Sequence, residues 1–293
     1  MNNILAFHKS VQGSNHIAWG RPCEDASGSY ANPEKHYYVA AVSDGHGADE
    51  CYRADKGSKI AVEIAMKNLQ ELAEKMTRTP EQEARFYQDI LGSARYQQMT
   101  MRHLTDVIHA EWVDRVREDL QTNAPTEEEL APLLEKKKRN YAQSDRPEQI
   151  YGCTLMAALW MQKCLLLIHQ GDGRCDVFYT DGTVNQPIPW DSRCVGTQTT
   201  SLCDDDVQKA WVFYSFFIKP FGIFTSRLLF RVDLFQLFRI IRNKNSHAGN
   251  IVRHIYALIP QLFQFFCRVL YCGFRFAQTT LENAMLADLR ANG

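Results

Sequence analysis

The feature that most constrains this chain is an apolar segment that ends on the pentapeptide Ser-Asp-Gly-His-Gly. Residues 37–42 are aromatic, β-branched or small and carry no charge, which predicts a buried strand. The strand ends on residues 43–47, and a helical pattern follows from about residue 48. The two glycines permit a sharp bend or a close approach to the backbone. Asp44 is a hard oxygen ligand suited to Mg²⁺ or Mn²⁺, and His46 can transfer protons near neutral pH. A strand–helix turn with a capping aspartate explains the same residues.

Two further acidic sites lie at predicted strand ends or loops. Glu24 and Asp25 are adjacent, and adjacent side chains of an extended segment point to opposite faces. One of the two would therefore face a given metal directly, and the other would serve a second metal or a bound water. Asp172 lies in a tight turn between two glycines. Taken alone, the first site is explained better by a solvated acidic turn, and Asp172 is explained better as an ordinary turn aspartate.

The remaining pattern predicts a mixed α+β chain. Residues 4–31 predict a strand, a loop and a second strand, and residues 48–141 predict amphipathic helices. Thr79 followed by Pro80 is a helix start, with Thr79 as the N-cap. Three apolar segments between residues 151 and 179 are joined by short turns, which favours an antiparallel meander.

Composition excludes several functional classes. A formal charge of −1 over 293 residues gives no electrostatic reason to expect nucleic-acid binding. The nine cysteines include no Cys-x-x-Cys pair and are odd in number, which argues against a zinc site and a disulfide framework. The N-terminus has no long apolar run, so no signal peptide is predicted and a cytoplasmic location is expected.

Four ordered motifs carry a resemblance to a known family. They are Gly-x-x-His-x-x-x-Gly-x-Pro-Cys-Glu-Asp-Ala (13–26), Ser-Asp-Gly-His-Gly (43–47), Tyr-Gly-Cys-Thr-Leu (151–155) and Gln-Gly-Asp-Gly-Arg (170–174). In this order and spacing the chain resembles metal-dependent serine/threonine phosphatases of the PPM or PP2C type, and the first motif most resembles a bacterial branch. The resemblance implies a four-layer α-β-β-α sandwich of two antiparallel sheets flanked by helices, with metals in a cleft at one edge.

The resemblance also implies a metal site. Asp44 would bridge two Mn²⁺ or Mg²⁺ ions, and Glu24 and the Gly45 carbonyl would bind one of them. Asp25 would orient metal-bound water. Asp172 resembles an acidic residue that the family links to a third metal.

Catalytic and substrate roles follow from the same resemblance. A metal-activated water would attack a phosphoserine or phosphothreonine of a protein substrate. His46 would protonate the leaving seryl or threonyl oxygen, and Arg21 or His16 would hold the phosphate.

The last third departs from the pattern, and we predict a phosphatase domain over residues 1–210 and an atypical tail over 211–293. The late Thr-Asp-Gly and Asp-Asp motifs that would supply further metal ligands are missing after Ala210. From Trp211 to Thr280 the only acidic residue is Asp233. Three interpretations stay open: a tail translated in the wrong frame, a basic segment at a membrane surface, or a divergent end of the fold. Basic residues interrupt its apolar runs, which disfavours spanning helices.

Two functional hypotheses therefore stand. The first is an active Mn²⁺- or Mg²⁺-dependent phosphoprotein phosphatase. The second is a catalytically impaired pseudophosphatase that lacks the C-terminal metal ligands and acts by binding alone, because fewer carboxylates bind hard cations more weakly.

Overall fold

The structure is a computed structural model that describes residues 3–18, 20–131, 133, 146–178, 183–195, 198–217, 227–231 and 271–277. It contains ten strands in these residues. They are β1 Asn3–Lys9, β2 Ala26–Asn32, β3 Tyr37–Ser43, β4 Leu155–Met161, β5 Cys164–Gln170, β6 Arg174–Phe178, β7 Val184–Asn185, β8 Val212–Phe217, β9 Arg227–Arg231 and β10 Tyr271–Ala277. They form two antiparallel five-stranded sheets, in the orders β2-β3-β4-β5-β8 and β1-β10-β9-β6-β7.

Six α-helices and two short 3-10 turns lie in the described residues. The helices are α1 Ser14–Ala18, α2 Ala54–Met76, α3 Pro80–Gly92, α4 Ala94–Thr122, α5 Glu127–Leu130 and α6 Val207–Ala210, and the 3-10 turns span Asp49–Cys51 and Pro147–Tyr151. The predicted N-cap is confirmed, because the Thr79 side chain accepts a hydrogen bond from the backbone N–H of Gln82 at 3.2 Å. Thr126 and Glu129 form a capping box at the start of α5.

The central strands β3, β4 and β5 are buried on both faces, and their alternation divides the core in two. In β3 the odd positions Tyr37, Val39 and Ala41 pack with helices α2, α3 and α4. The even positions of the same strand face the second sheet, where they meet Cys175 and Val177 of β6. The described residues thus form a helical layer, a sheet and a second sheet. This confirms the predicted mixed fold of antiparallel sheets and helices, and the outer fourth layer falls outside the described residues.

The predicted strand, loop and second strand over residues 4–31 are present as β1, a loop that contains α1, and β2, but two other local predictions are wrong. The helix expected from about Ala48 begins at Ala54, after a 3-10 turn. The third segment of the expected meander, β6, leaves β5 and joins the other sheet. The turn between β5 and β6 contains Gly171 with φ +117°, a conformation that suits glycine and redirects the chain.

Part of the predicted tail is placed in the sheets. β8 pairs with β5, and β9 and β10 lie in the sheet that also contains β1 and β6. In the described part of the chain no helix is long and apolar enough to cross a membrane. Most of the tail lies outside the described residues, so the boundary at residue 210 stays a prediction.

Arg53 joins the two ends of the helical segment between β3 and β4. Its side chain is only 3% exposed, and its Nε and Nη2 donate to the two carboxylate oxygens of Glu129 at 2.8 and 2.9 Å. Its Nη1 also donates to the Asn123 carbonyl at 2.7 Å and to the Tyr151 hydroxyl at 3.0 Å. The hydrogen bonds from Arg53 are the main reason that the pKa of Glu129 falls to about 2.

We expect Arg53→Met to lower the free energy of unfolding by about 3–5 kcal/mol, because it leaves the Glu129 carboxylate without its cation in a partly buried site. Urea unfolding measured by circular dichroism checks this. The matched control is Arg85→Met, which removes an ion pair to Asp89 from an arginine that is 85% exposed and should change stability little. Equal losses in the two variants would contradict the structural role of Arg53.

His169 is a buried titratable group between the two sheets. Neither of its ring nitrogens has a hydrogen-bond partner in the part of the chain that the structure describes. Burial lowers the pKa of His169 from 6.5 to about 4; the Asp191 carboxylate acts in the opposite direction, and Arg174 reinforces the lowering. As the pH falls, the unfolded chain therefore binds a proton at this histidine at a higher pH than the folded chain does.

Stability should fall as the pH drops from about 6.5 to 4, by roughly 3 kcal/mol from this group alone, since one pKa unit corresponds to about 1.4 kcal/mol. Above pH 6.5 the stability that depends on a neutral His169 is fully present. We expect His169→Leu to remove this part of the pH dependence and exposed His8→Gln to keep it. Urea unfolding at several pH values tests the prediction, and an unchanged slope in His169→Leu would refute it.

Candidate functional site

The Ser-Asp-Gly-His-Gly turn is fixed by its contacts with residues 152–154. The Ser43 hydroxyl donates to the Thr154 carbonyl at 2.5 Å, and the Thr154 N–H donates to the Asp44 carbonyl at 2.8 Å. The Asp44 N–H in turn donates to the Thr154 hydroxyl at 3.0 Å. Two residues after Asp44, the His46 N–H donates to the Gly152 carbonyl at 3.0 Å. Two of the four sequence motifs therefore meet at the end of β3.

Gly45 lies between this segment and the Glu-Asp pair. Its N–H donates to the Glu24 carbonyl at 3.1 Å. A Cβ at this position would lie 2.5 Å from the Glu24 carbonyl oxygen and 2.9 Å from that of Ala54, and both are backbone atoms. Only glycine allows the Glu24 segment to pack this closely against the turn, so the first and second motifs also meet here.

The Glu24 carboxylate is buried beside the turn. Its Oε2 has no hydrogen-bond partner among the described residues, and it lies 3.4 Å from the point where a Cβ on Gly47 would be. Burial raises the pKa of Glu24; the neighbouring positive groups His16 and Arg21 lower it, and the carboxylate of Asp25 raises it further. The predicted residues of the first motif thus share one electrostatic environment.

His46 and Asp172 form the other half of the site. Burial lowers the pKa of His46, whereas the carboxylates of Asp204 and Asp172 raise it. The Asp172 carboxylate accepts a hydrogen bond from the Thr199 hydroxyl at 3.3 Å. The fourth motif therefore comes within electrostatic reach of the second, although residues 47 and 170 are far apart in the sequence.

The Arg21 side chain is held in place by contacts with Gly47 and Asp49. Its Nη2 contacts the Asp49 carboxylate at 2.7 Å, and its Nη1 donates to the Gly47 carbonyl at 3.1 Å. The backbone N–H of Arg21 donates to the His16 carbonyl at 2.9 Å. The side chain is 36% exposed, so part of the guanidinium remains accessible to solvent.

The residues of the site suit a hard cation that keeps several water ligands better than a cation that is coordinated only by protein atoms. Across the described ranges, no three His, Cys, Asp or Glu side chains lie close enough together to hold one ion. Mg²⁺ commonly keeps several waters and is held by one or two carboxylates. The unpartnered Glu24 oxygen next to the Asp44 turn fits that mode of binding.

Several residues of the site had no functional assignment from the sequence. The carboxylate of Asp204, which lies outside the four motifs, acts on the pKa of His46. Asp49 and Thr199 carry no sequence signal, because their roles depend on contacts with residues distant in the chain. Thr154 lies inside the third motif, and its contacts show that it holds Asp44.

Comparison with known proteins identifies the family. No curated protein matches the chain. Similar solved structures include the serine/threonine phosphatase Stp1 from Staphylococcus aureus, with 14% identity, a TM-score of 0.45 and coverage of 95% of each chain. The Mycobacterium tuberculosis phosphatase PstP/Ppp has 12% identity and a TM-score of 0.43, with 93% of this chain and 96% of that chain covered. These TM-scores are too low to indicate activity or metal content.

A family model gives the decisive match. The model described as Protein phosphatase 2C matches residues 12–250, which is well over half of the chain and extends past the predicted boundary at residue 210. All four motifs and every candidate site residue lie inside this range. The chain therefore belongs to the protein phosphatase 2C family.

Proposed function

We propose that this chain is a metal-dependent phosphoprotein phosphatase that hydrolyses phosphoserine and phosphothreonine in the cytoplasm. The observation that carries the proposal is the buried Glu24 oxygen without a hydrogen-bond partner, beside the turn that holds Asp44 and His46. A buried carboxylate oxygen is costly unless a donor, a proton or a cation satisfies it. A divalent cation at this position satisfies it and serves the chemistry of the family.

The cation-binding residues of this proposal are Asp44, Glu24 and the Gly45 carbonyl, with Asp25 orienting a water ligand. Asp172 is the proposed ligand of an additional cation on the His46 side. When bound, Mn²⁺ or Mg²⁺ neutralises phosphate charge and lowers the pKa of a water molecule. The close packing at Gly45 keeps the backbone of the Glu24 segment against the Asp44 turn.

His46 is the proposed general acid. It would donate a proton to the seryl or threonyl oxygen as the phosphorus–oxygen bond breaks. Burial opposes the protonated form, and Asp172 and Asp204 favour it. Arg21, oriented by Asp49, would bind the phosphate oxygens, and His16 is the other candidate for this role.

A second function is supported by a specific observation. Because no cluster of three metal-binding side chains lies in the described residues, the site has few charged ligands for a hard cation. A chain with such a site could bind phosphoproteins without hydrolysing them. In this pseudophosphatase alternative Arg21 still binds the phosphate, and His46 has no role as a general acid.

One test of the proposed function concerns Asp44. We expect Asp44→Asn to lower Mn²⁺-dependent hydrolysis of an aryl phosphate by roughly 100-fold or more, because it removes a charged cation ligand. It should also weaken Mn²⁺ binding measured directly by electron paramagnetic resonance. The matched control is Asp89→Asn on α3, whose carboxylate pairs with Arg85 far along the chain from the motifs.

The two measurements separate the hypotheses. Wild-type protein that is folded and binds Mn²⁺ but shows no turnover would favour the pseudophosphatase. Full activity in Asp44→Asn would refute the metal assignment.

A second prediction concerns phosphate binding. Arg21→Gln should raise KM for a phosphopeptide by about tenfold with a smaller change in kcat, since one charge-assisted contact of about 1.4 kcal/mol is lost. Asp49→Asn removes the ion pair but keeps the guanidinium, so its KM should rise less. If the two variants raised KM equally, Arg21 would act by anchoring the loop and not by binding phosphate.

A further inference from the structure

Two cysteine sulfurs lie close to Gly152, and neither belongs to the set of residues assigned above. Cys51 Sγ and Cys203 Sγ are each 3.2 Å from the point where a Cβ on Gly152 would be. The two sulfurs are therefore separated by no more than twice that distance. The His46 ring reaches the same point, with Cδ2 at 2.6 Å, so the three side chains meet where Gly152 has no side chain of its own.

The two thiols belong to segments that are far apart in the sequence. Cys51 is the last residue of the 3-10 turn that follows the His46 turn, and its thiol donates to the Gln149 carbonyl at 3.4 Å. Cys203 lies in the loop before α6, with its sulfur 3.2 Å from the Ser201 hydroxyl. Both thiols are free and half-buried, so a small oxidant can approach them, whereas Cys153 nearby is fully buried.

We propose that Cys51 and Cys203 form a reversible disulfide when the protein meets a hydroperoxide. One thiolate attacks the peroxide oxygen and becomes a sulfenic acid, while the O–O bond breaks and water or an alcohol leaves. The second thiol then attacks the sulfenic sulfur and releases water, so two thiols and one hydroperoxide give one disulfide. A thiol reductant returns both cysteines to their free form.

The environment of the thiols sets the rate. Burial raises the pKa of Cys51 to about 12 and also raises that of Cys203. Since the thiolate is the nucleophile, the first step is slow at neutral pH. The pair therefore responds to sustained oxidation and does not act as a fast peroxide scavenger. Once one sulfur is oxidised, the closeness of the other favours the intramolecular step.

The disulfide would tie two parts of the proposed active site together. Cys51 follows the turn that carries His46, and Cys203 is adjacent to Asp204, whose carboxylate acts on His46. A covalent link between them passes beside Gly152, against which the His46 ring packs. Oxidation would thus restrain the His46 turn, and the link itself forms whether or not the chain is catalytically active.

The test is thiol mapping of the full-length protein. The protein is treated with hydrogen peroxide, its remaining thiols are blocked with N-ethylmaleimide, and all nine cysteines are mapped by mass spectrometry of unreduced peptides. We expect a cross-linked peptide pair containing Cys51 and Cys203 that disappears after treatment with dithiothreitol. Retention of reduced protein by an arsenical resin that binds paired thiols provides a second measurement without oxidation.

Single variants make the assignment specific. Cys51→Ser and Cys203→Ser should each abolish the cross-link and reduce retention by the resin. The matched control Cys23→Ser removes another half-buried thiol and should change neither result. A link from Cys51 or Cys203 to any other cysteine, or alkylation of both in oxidised wild-type protein, would overturn the proposal. Because these readouts need no turnover, they do not depend on the proposed phosphatase activity.

Discussion

The hydrogen bonds between Thr154 and Asp44 are the contact on which the site depends. They join residues that are 110 positions apart, so they form only when β3 and β4 are already paired. Ladder bonds continue along both strands, which are buried on both faces. The position of Asp44 is therefore set by the packed core and not by the loop that follows it. Fixed backbone of this kind is what a constellation of weak ligands needs to bind one cation.

The long helical segment between β3 and β4 has to return the chain to this contact. It leaves the turn at Arg53 and comes back at Tyr151, and Arg53 contacts Tyr151 and the carboxylate of Glu129 near the return. Gly57 in α2 lies so close to the Tyr151 backbone that a Cβ would overlap its carbonyl oxygen. The ion pair and the close packing together place Gly152 and Thr154 beside the turn, which links the stability of the helical segment to the geometry of the site.

Local sequence patterns predicted the parts of this structure that depend on neighbours in the chain. The apolar run before Asp44 and the N-cap at Thr79 are both present, because each follows from periodicity or capping within a few residues. The transfer of β6 to the second sheet was not predictable in this way, since it depends on which face of β5 needs cover. The pairing of Arg53 with Glu129 and the meeting of Cys51 with Cys203 depend equally on the completed fold.

The candidate site also has some features that the sequence predicts and others that depend on the completed fold. Motif order indicated Glu24, Asp44, His46 and Asp172, and the structure brings the segments that carry them to one end of β3. What the sequence could not show is the balance of charge around Glu24, because burial of a carboxylate is decided by packing.

The balance between burial and neighbouring charges at Glu24 links metal binding to the stability of the fold. Arg21 and His16 stabilise the Glu24 anion, but burial outweighs them and the pKa stays raised. A carboxyl group whose pKa is raised on folding makes the folded state less stable as the pH rises from the unfolded-state pKa to the folded-state pKa. Ionisation of Glu24 in the folded chain therefore costs stability until a cation compensates it. A divalent ion that binds only the folded chain removes this cost and stabilises the chain by mass action. The same buried oxygen that costs stability when it is ionised without a cation thus makes cation binding favourable, and this holds for an active phosphatase and for a binding-only remnant.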